Sequence, residues 1–263
     1  MRRGLILWAV LFFAQISDGI AMPLTGEPSK DARQLNFQLF EAAKRGRTGD
    51  VEIYLNHGAS IKARDRFGNT ALLLAAFSGR AKTVKVLLNA GSDVNHTNLV
   101  GSTALYRAAK AGKRKSVKLL LKAGAGVNTL NKKGLSPLIA AAYNGNETIF
   151  HLLLDQGAKV DVVDVYGKSA LVYAAGKGFA DIVGALLDTG IDVNIAYGNN
   201  LTALMWAAGH SNDVPPADAM KTVTLLLERG ARLDLKDNRG KTARTIAADM
   251  NHQDVLKVLT AAE

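Results

Sequence analysis

Cysteine is absent from the 263 residues, and this absence excludes a disulfide framework, a thiolate metal site and a cysteine nucleophile. Proline is scarce, with 5 residues against 25 glycines, so the chain must turn often and must use glycine to do so. Aromatic residues make up only 6%, which is low for an enzyme-like globule, whereas the 48% hydrophobic share excludes a wholly disordered chain. The composition therefore indicates a folded protein built from many short elements.

The sequence also lacks an apolar run of the about 20 residues that a membrane-spanning helix needs. The apolar run at residues 5–13 follows Met1-Arg2-Arg3 and precedes Gly19-Ile20-Ala21, which has the small-x-small pattern of a cleavage site. This arrangement predicts a secretory signal peptide over residues 1–21. We therefore expect an exported protein, periplasmic or secreted, with no transmembrane span in the mature chain. The absence of cysteine fits an exported bacterial protein.

A repeat of 33 residues organises the chain from about residue 34 onward. Glycine recurs at Gly68, Gly101, Gly134 and Gly167, and a hydroxyl residue stands two positions after each of these glycines. An alanine pair, a leucine pair and another glycine follow in turn. These hydroxyl residues are Thr70, Thr103, Ser136 and Ser169, and two more, Thr202 and Thr242, follow Asn200 and Gly240 in the same way. The closing glycines are Gly91, Gly124, Gly157, Gly190 and Gly230.

Each recurring residue has a structural reason. Asp65 and Gly68 occupy the first and fourth positions that a type I turn prefers. The hydroxyl can cap a short helix, and Pro137 directly follows such a cap, where proline is suited to helix entry. Alanine lets two helices approach closely, leucine supplies the buried stripe of the second helix, and the closing glycine suits a left-handed cap. Each copy therefore predicts a turn, a helix, a short loop and a second helix.

This pattern resembles the ankyrin repeat family, whose repeats read Thr-Pro-Leu-His, Ala-Ala, Val-x-x-Leu-Leu and Gly-Ala-Asp-Val-Asn. Ser136-Pro137-Leu138 and Gly190-Ile191-Asp192-Val193-Asn194 carry the resemblance, although the family histidine is replaced in these copies, which removes a usual hydrogen bond between repeats. The resemblance implies an all-α, helix-turn-helix repeat solenoid with β-turn or hairpin fingers and about seven repeats. After a linker at residues 22–33, the expected repeat domain spans 34–263, in copies at 34–64, 65–97, 98–130, 131–163, 164–196, 197–236 and 237–263.

Motifs for catalysis or cofactor binding are weak. Gly167-Lys168-Ser169 and Gly240-Lys241-Thr242 look like the end of a phosphate-binding loop, but the upstream glycine that such a loop needs is Val162 in one case and Leu235 in the other. The five histidines lie in separate repeats without a second metal ligand at a suitable spacing. We expect no catalytic residue, no cofactor and no metal, and the protein is not expected to be an enzyme.

The resemblance implies a protein-binding groove lined by turn tips and by the exposed side of each first helix. Carried onto this chain, the partner-binding positions mix aromatic, apolar and basic residues. They are Arg66, Phe67, Phe77, Val100, Lys110, Lys132, Lys133, Tyr143, Tyr166, Lys168, Lys177 and His210. Aromatic residues and arginine are enriched at the centres of protein interfaces, although Phe77 and Tyr143 could instead fill gaps between repeats.

Charge gives a second signal, since Lys and Arg number 33 against 23 Asp and Glu, for a formal net charge of +10. No acidic residue lies between Asp93 and Glu147, a stretch that is rich in basic residues. A basic patch is predicted at Arg107, Lys113, Arg114, Lys115 and Lys118. Such a patch fits an acidic partner or an anionic surface, and a merely solvated positive belt is the alternative.

Two classes of function follow. The first is a non-enzymatic module that binds a partner protein in its groove outside the cytoplasm, as an inhibitor or immunity-type regulator of an exported enzyme. A seven-residue insertion within residues 210–218 could help in this role. The second is an envelope scaffold or tether that the basic third repeat attracts to anionic lipid or polymer. Nucleic acid is not expected as a partner, because export removes the protein from it and no recognition motif is present.

Overall fold

The computed structural model describes residues 30–262 as a stack of helix pairs, without a β-strand among these residues. The predicted signal peptide, residues 1–21, lies outside the described residues, as does most of the predicted linker at 22–33. The first helix begins at Lys30, so that it includes residues 30–33, the end of the expected linker.

Seven helix pairs follow one another between residues 30 and 262, which agrees with the expected number of about seven repeats. Six of the seven first helices have six or seven residues, whereas α1 has 16. The pairs are α1 Lys30–Arg45 and α2 Thr48–Asn56; α3 Ala71–Phe77 and α4 Ala81–Asn89; α5 Ala104–Lys110 and α6 Arg114–Lys122; α7 Pro137–Tyr143 and α8 Glu147–Leu154; α9 Ala170–Gly176 and α10 Ala180–Leu187; α11 Ala203–Ala208 and α12 Pro216–Glu228; α13 Ala243–Asp249 and α14 Gln253–Ala261.

The capping residues predicted from the sequence act as expected. Each of the six hydroxyls precedes a first helix and accepts a hydrogen bond from the backbone N–H three residues later, at 3.1–3.5 Å. Pro137 occupies the first turn of α7. Gly91, Gly124 and the other three closing glycines have φ between 77° and 90°, a left-handed conformation that favours glycine. Local sequence therefore sets where these helices begin and end.

The core runs continuously through the stack. Each first helix packs against the first helix of the next repeat, and each second helix does the same with its own successor. The alanine pairs of α3, α5, α7, α9 and α11 are fully buried, which lets these helices approach closely. In the leucine pairs the first member is fully buried, as at Leu87 and Leu120, and the large ring of Phe150 is also inaccessible. A single repeat could not bury these side chains alone.

The turn tips form a ladder that joins neighbouring repeats. Each turn is closed by its own backbone hydrogen bond, such as Gly68 N to Asp65 O at 2.9 Å. A further backbone bond then links each turn to the next, and Leu99 N, for example, donates to Phe67 O at 3.0 Å. The other links run from Lys132 N to Val100 O, Val165 N to Lys133 O, Gly198 N to Gly167 O and Asn238 N to Asn199 O, at 3.0–3.1 Å.

Side chains at the start of the second helices replace part of the hydrogen bonding lost with the family histidine. Asn146 donates from Nδ2 to the carbonyl of Ala109 at 3.1 Å. His252 Nδ1 lies 2.9 Å from the carbonyl oxygen of Ala208, to which it donates. Both contacts join neighbouring repeats and satisfy a carbonyl near the end of a first helix.

Candidate binding groove

Turn tips and first helices together form one face of the stack, which we call the groove. Phe77, Lys110 and Tyr143 end three successive first helices and are exposed, as predicted. A second row of side chains lies one helical turn earlier on the same face. That row consists of Leu74, Arg107, Ala140, Tyr173 and Trp206, and each member lines one of the three clefts described below.

The first cleft lies beside α1 and has a volume of about 920 Å³. Three predicted partner-binding residues, Arg66, Phe67 and Phe77, line it together with Phe37 of α1. The guanidinium carbon of Arg66 lies 4.7 Å from the centre of the Phe67 ring, and that of Arg107 lies 4.7 Å from the centre of the Phe77 ring. These cation–π contacts hold the aromatic rings in place while Phe67 and Phe77 stay about half exposed.

Arg107 belongs to the groove and not to the basic patch in which the sequence placed it. Its Nη1 donates to Asn69 Oδ1 at 2.5 Å, and burial is the main cause that lowers the pKa of Arg107, with Asp65 acting in the opposite direction. The other predicted members of the patch, Lys113, Arg114, Lys115 and Lys118, line a separate hollow at the start of α6. Arg107 and the other four residues of the predicted patch therefore line two separate hollows.

The second cleft, about 260 Å³, lies at the middle of the groove and is lined by Lys110, Lys133, Tyr143 and Tyr166 from the predicted set. The third cleft, about 370 Å³, continues the groove towards the insertion, and Lys168 and Lys177 line it. Lys168 Nζ lies 4.4 Å from the Trp206 ring centre. The remaining predicted residues, Val100 and Lys132, are exposed at turn tips outside these three clefts.

His210 was expected in the exposed groove surface, but only 7% of it is exposed. Its ring stacks on the ring of His252, with centroids 3.8 Å apart and an angle of 6° between the planes. Burial, as the largest cause, lowers the pKa of His210, and the neighbouring His252 adds to this effect. His210 therefore joins the last two repeats, although one edge of it still lines the third cleft.

The insertion lengthens both the loop after α11 and the helix that follows it. α12 has 13 residues, whereas the other second helices have eight or nine. Val214 is buried against Gly178, and Asp213 forms an ion pair with Lys177 at 3.0 Å. Hydrogen bonds from Ser211 and then from Lys177 lower the pKa of Asp213 to about 2. The loop is thus fixed to the previous repeat at the edge of the groove.

Sequence reasoning missed Tyr106, Tyr173 and Trp206 as groove residues. Tyr173 lies three residues before Gly176, which occupies the helical position of Tyr143 in the next repeat, so helical periodicity would have placed it on this face. Tyr106 stands where the family has histidine, and this substitution could have indicated that Tyr106 lines the second cleft.

Two further properties concern the chain between residues 30 and 262. No group of three or more His, Asp or Glu side chains in this part is arranged to hold a metal ion. No helix in the same part is both long and apolar enough to cross a membrane.

The comparisons with known proteins agree with this geometry. A family model for ankyrin repeats in three copies matches residues 39–131 and 123–197, and a single ankyrin repeat model matches residues 199–238. The crystal structure of the human ASB11 ankyrin repeat domain is similar, with 28% sequence identity and a TM-score of 0.73 over 86% of this chain and 97% of that one. No curated protein matches the chain significantly. Ankyrin repeats are a general protein–protein interaction module, and this chain belongs to the ankyrin repeat family.

Proposed function

We propose that this chain is a non-enzymatic module that acts outside the cytoplasm and holds one partner protein in its groove. The observation that carries the proposal is the exposed apolar surface of the groove. Phe67, Phe77, Tyr143 and Tyr166 are between 44% and 64% exposed, although a continuous core was available to bury apolar side chains. Contiguous exposed apolar surface rimmed by polar residues marks interaction sites. Basic side chains between these rings favour an acidic partner.

The sharper form of the proposal is that the partner is an exported enzyme and that the groove covers its active site. The inserted loop supports this form because it stands at the groove edge and is attached to the preceding repeat. Val214 anchors it in the core, and the Lys177–Asp213 pair holds its tip. Ser211 and Asn212 of the loop line the third cleft together with Trp206. Loops on a rigid scaffold often determine specificity.

Affinity capture from the exported fraction, followed by mass spectrometry, tests the proposal. The wild-type chain should retain one protein in stoichiometric amount, and the combined Phe67→Ala, Tyr143→Ala and Tyr166→Ala variant should lose it. Ile53→Ala is the control, because Ile53 is 53% exposed on a second helix away from the groove. If the captured protein is an enzyme, added wild-type chain should abolish its activity at a one-to-one ratio. Equal capture by the triple variant would contradict the groove as the binding face.

A second candidate function is an envelope tether that binds anionic lipid through the third repeat. The start of α6 favours it, because Lys113, Arg114 and Lys115 place positive charge at the positive end of a helix without an acidic residue in its first turn. Vesicles with an anionic lipid should bind the protein at low salt and release it at high salt, since salt screens exposed charges. Binding that survives high salt would contradict this function.

A further inference from the structure

The second cleft of the groove is surrounded by four tyrosines, and we call it the tyrosine pocket. Tyr106 comes from α5, Tyr143 from α7, Tyr166 from the following turn and Tyr173 from α9, so three successive repeats contribute to one cavity of about 260 Å³. Ile139 contributes an apolar side chain to the same cavity. The pocket therefore forms only where three repeats stack, and no single repeat contains it.

The walls of this pocket are held in position before anything binds. Tyr173 donates its hydroxyl hydrogen to Asp164 Oδ2 at 2.6 Å, and its ring meets that of Tyr143 edge to face, with centroids 5.3 Å apart. Burial is the largest cause that raises the pKa of Tyr173, and the bond to Asp164 adds to it. Tyr106 is 6% exposed, whereas Tyr166 is 64% exposed. A fixed pocket with one open wall loses little conformational entropy on binding.

The volume of the tyrosine pocket limits what it can hold. Small-molecule and cofactor sites enclose about 300–1,000 Å³, and this pocket is smaller than that range. Its size suits one side chain of a larger partner, and its apolar and aromatic lining suits an aromatic one, because aromatic rings pack well edge to face. An aromatic side chain that fills such a pocket is a typical anchor of a protein interface.

Two lysines give the pocket a positive rim at opposite ends. Lys110 ends α5, far from the turn tips, whereas Lys133 stands on a turn tip. Neither side chain pairs with a carboxylate among residues 30–262. The carboxylate that lines the pocket, Asp164, already accepts bonds from Tyr166 N, Lys168 N and the Tyr173 hydroxyl. A partner carboxylate at each end would therefore find a free ammonium group.

We infer that the tyrosine pocket binds one aromatic side chain from a segment of the partner protein that carries acidic residues on both sides of that side chain. This inference rests on the proposed function, because it names the chemistry of the partner that the groove holds. The aromatic ring enters between Tyr143 and Tyr166, and the flanking carboxylates meet Lys110 and Lys133.

A synthetic pentapeptide with a central phenylalanine between two Asp-Glu pairs tests the inference by calorimetric titration against the full chain. The wild type should bind it saturably at one site. Tyr166→Ala should weaken binding about tenfold, as expected for loss of an anchor wall, while Tyr166→Phe keeps the ring and the affinity. Ile53→Ala removes an exposed apolar side chain on α2, outside the groove, and should leave the affinity unchanged.

Charge is tested with the combined Lys110→Gln and Lys133→Gln variant, which should weaken binding about tenfold and reduce its salt dependence. Lys82→Gln with Lys85→Gln removes the same charge from exposed positions on α4 and should change little. A peptide with serine in place of phenylalanine, or with amides in place of its carboxylates, should bind about tenfold more weakly. No saturable binding, or equal effects in the pocket and control variants, would overturn the inference.

The capture experiment separates this inference from the proposed function. A captured partner that needs the groove but ignores Tyr166→Ala and the double lysine variant would leave the proposed function standing and overturn the inference. Peptide binding that follows the expected pattern, without any captured protein, would support the chemistry inferred for the pocket and contradict the proposed function.

Discussion

Asp164 provides the sharpest test of how a turn supports the groove. Its side chain is buried, with 6% exposed, and its Oδ1 accepts from Tyr166 N and from Lys168 N, both at 2.9 Å. Its Oδ2 accepts from the Tyr173 hydroxyl at 2.6 Å. Asn131 occupies the same position one repeat earlier and makes the same two backbone bonds. The chain therefore shows that an amide can replace the carboxylate within the turn.

The loss of stability expected when Asp164 is substituted follows from these hydrogen bonds. Asp164→Ala loses all three, and at about 1 kcal/mol for each hydrogen bond the free energy of unfolding should fall by about 3 kcal/mol. Asp164→Asn keeps the two backbone bonds and loses the charge-assisted part of the third, so it should cost about 1 kcal/mol. Asp161→Ala is the control, because Asp161 is exposed, and it should change stability by less than about 0.5 kcal/mol.

Urea unfolding of the three variants, fitted with a model of coupled repeats, measures these differences, since a stack of repeats need not unfold in one step. Hydrogen exchange at the amides of Tyr166 and Lys168 localises the effect. Asp164→Ala should speed exchange at both, and Asp164→Asn should leave it nearly unchanged. If Asn is as destabilising as Ala, the charge and not the acceptor geometry stabilises the turn, and the reasoning is refuted.

Three further predictions concern stability. Phe150→Ala should lower the free energy of unfolding by about 3–5 kcal/mol, because the ring is fully buried, whereas exposed Phe37→Ala should cost far less in the same thermal scan. Burial lowers the pKa of His210, so the unfolded chain binds more protons below about pH 6.5, and stability should fall as the pH drops below this value. His210→Phe should flatten that slope, and an unchanged slope would exclude His210 as its origin. Gly198→Ala should weaken the turn ladder, because its Cβ would collide with the carbonyl oxygen of Tyr166, and faster amide exchange at Gly167 and residue 198 would report it.

The fold follows from local rules, which explains why the sequence predicts it well. A hydroxyl such as Thr70 caps the helix it precedes, and a glycine such as Gly91 takes a left-handed conformation, through bonds and sterics within a few residues. The 33-residue period then specifies the stacking, since each copy exposes the same apolar positions to its neighbour. The start of α1 at Lys30 does not follow from the repeat pattern, because the first copy is incomplete in sequence.

The groove is less predictable, because its side chains are oriented by partners far away in the sequence. His210 looked exposed by register, but it is buried against His252, which lies in the next repeat. Arg107 was assigned to a basic patch, but its guanidinium lies in the groove, where it donates to Asn69 and contacts the Phe77 ring. Helical register alone could not assign either orientation, since both depend on which side chain the neighbouring repeat presents.

The ladder of backbone bonds between turn tips sets a fixed interval for molecular recognition. Stacked helices lie about 8–10 Å apart, and an extended peptide advances about 3.3 Å per residue. A partner strand that runs along the stack would therefore place every third side chain over a new repeat. Backbone groups, not side chains, maintain the distance between neighbouring turn tips. Substitutions at the tips can therefore change which partner side chain is bound without changing the spacing between successive binding positions.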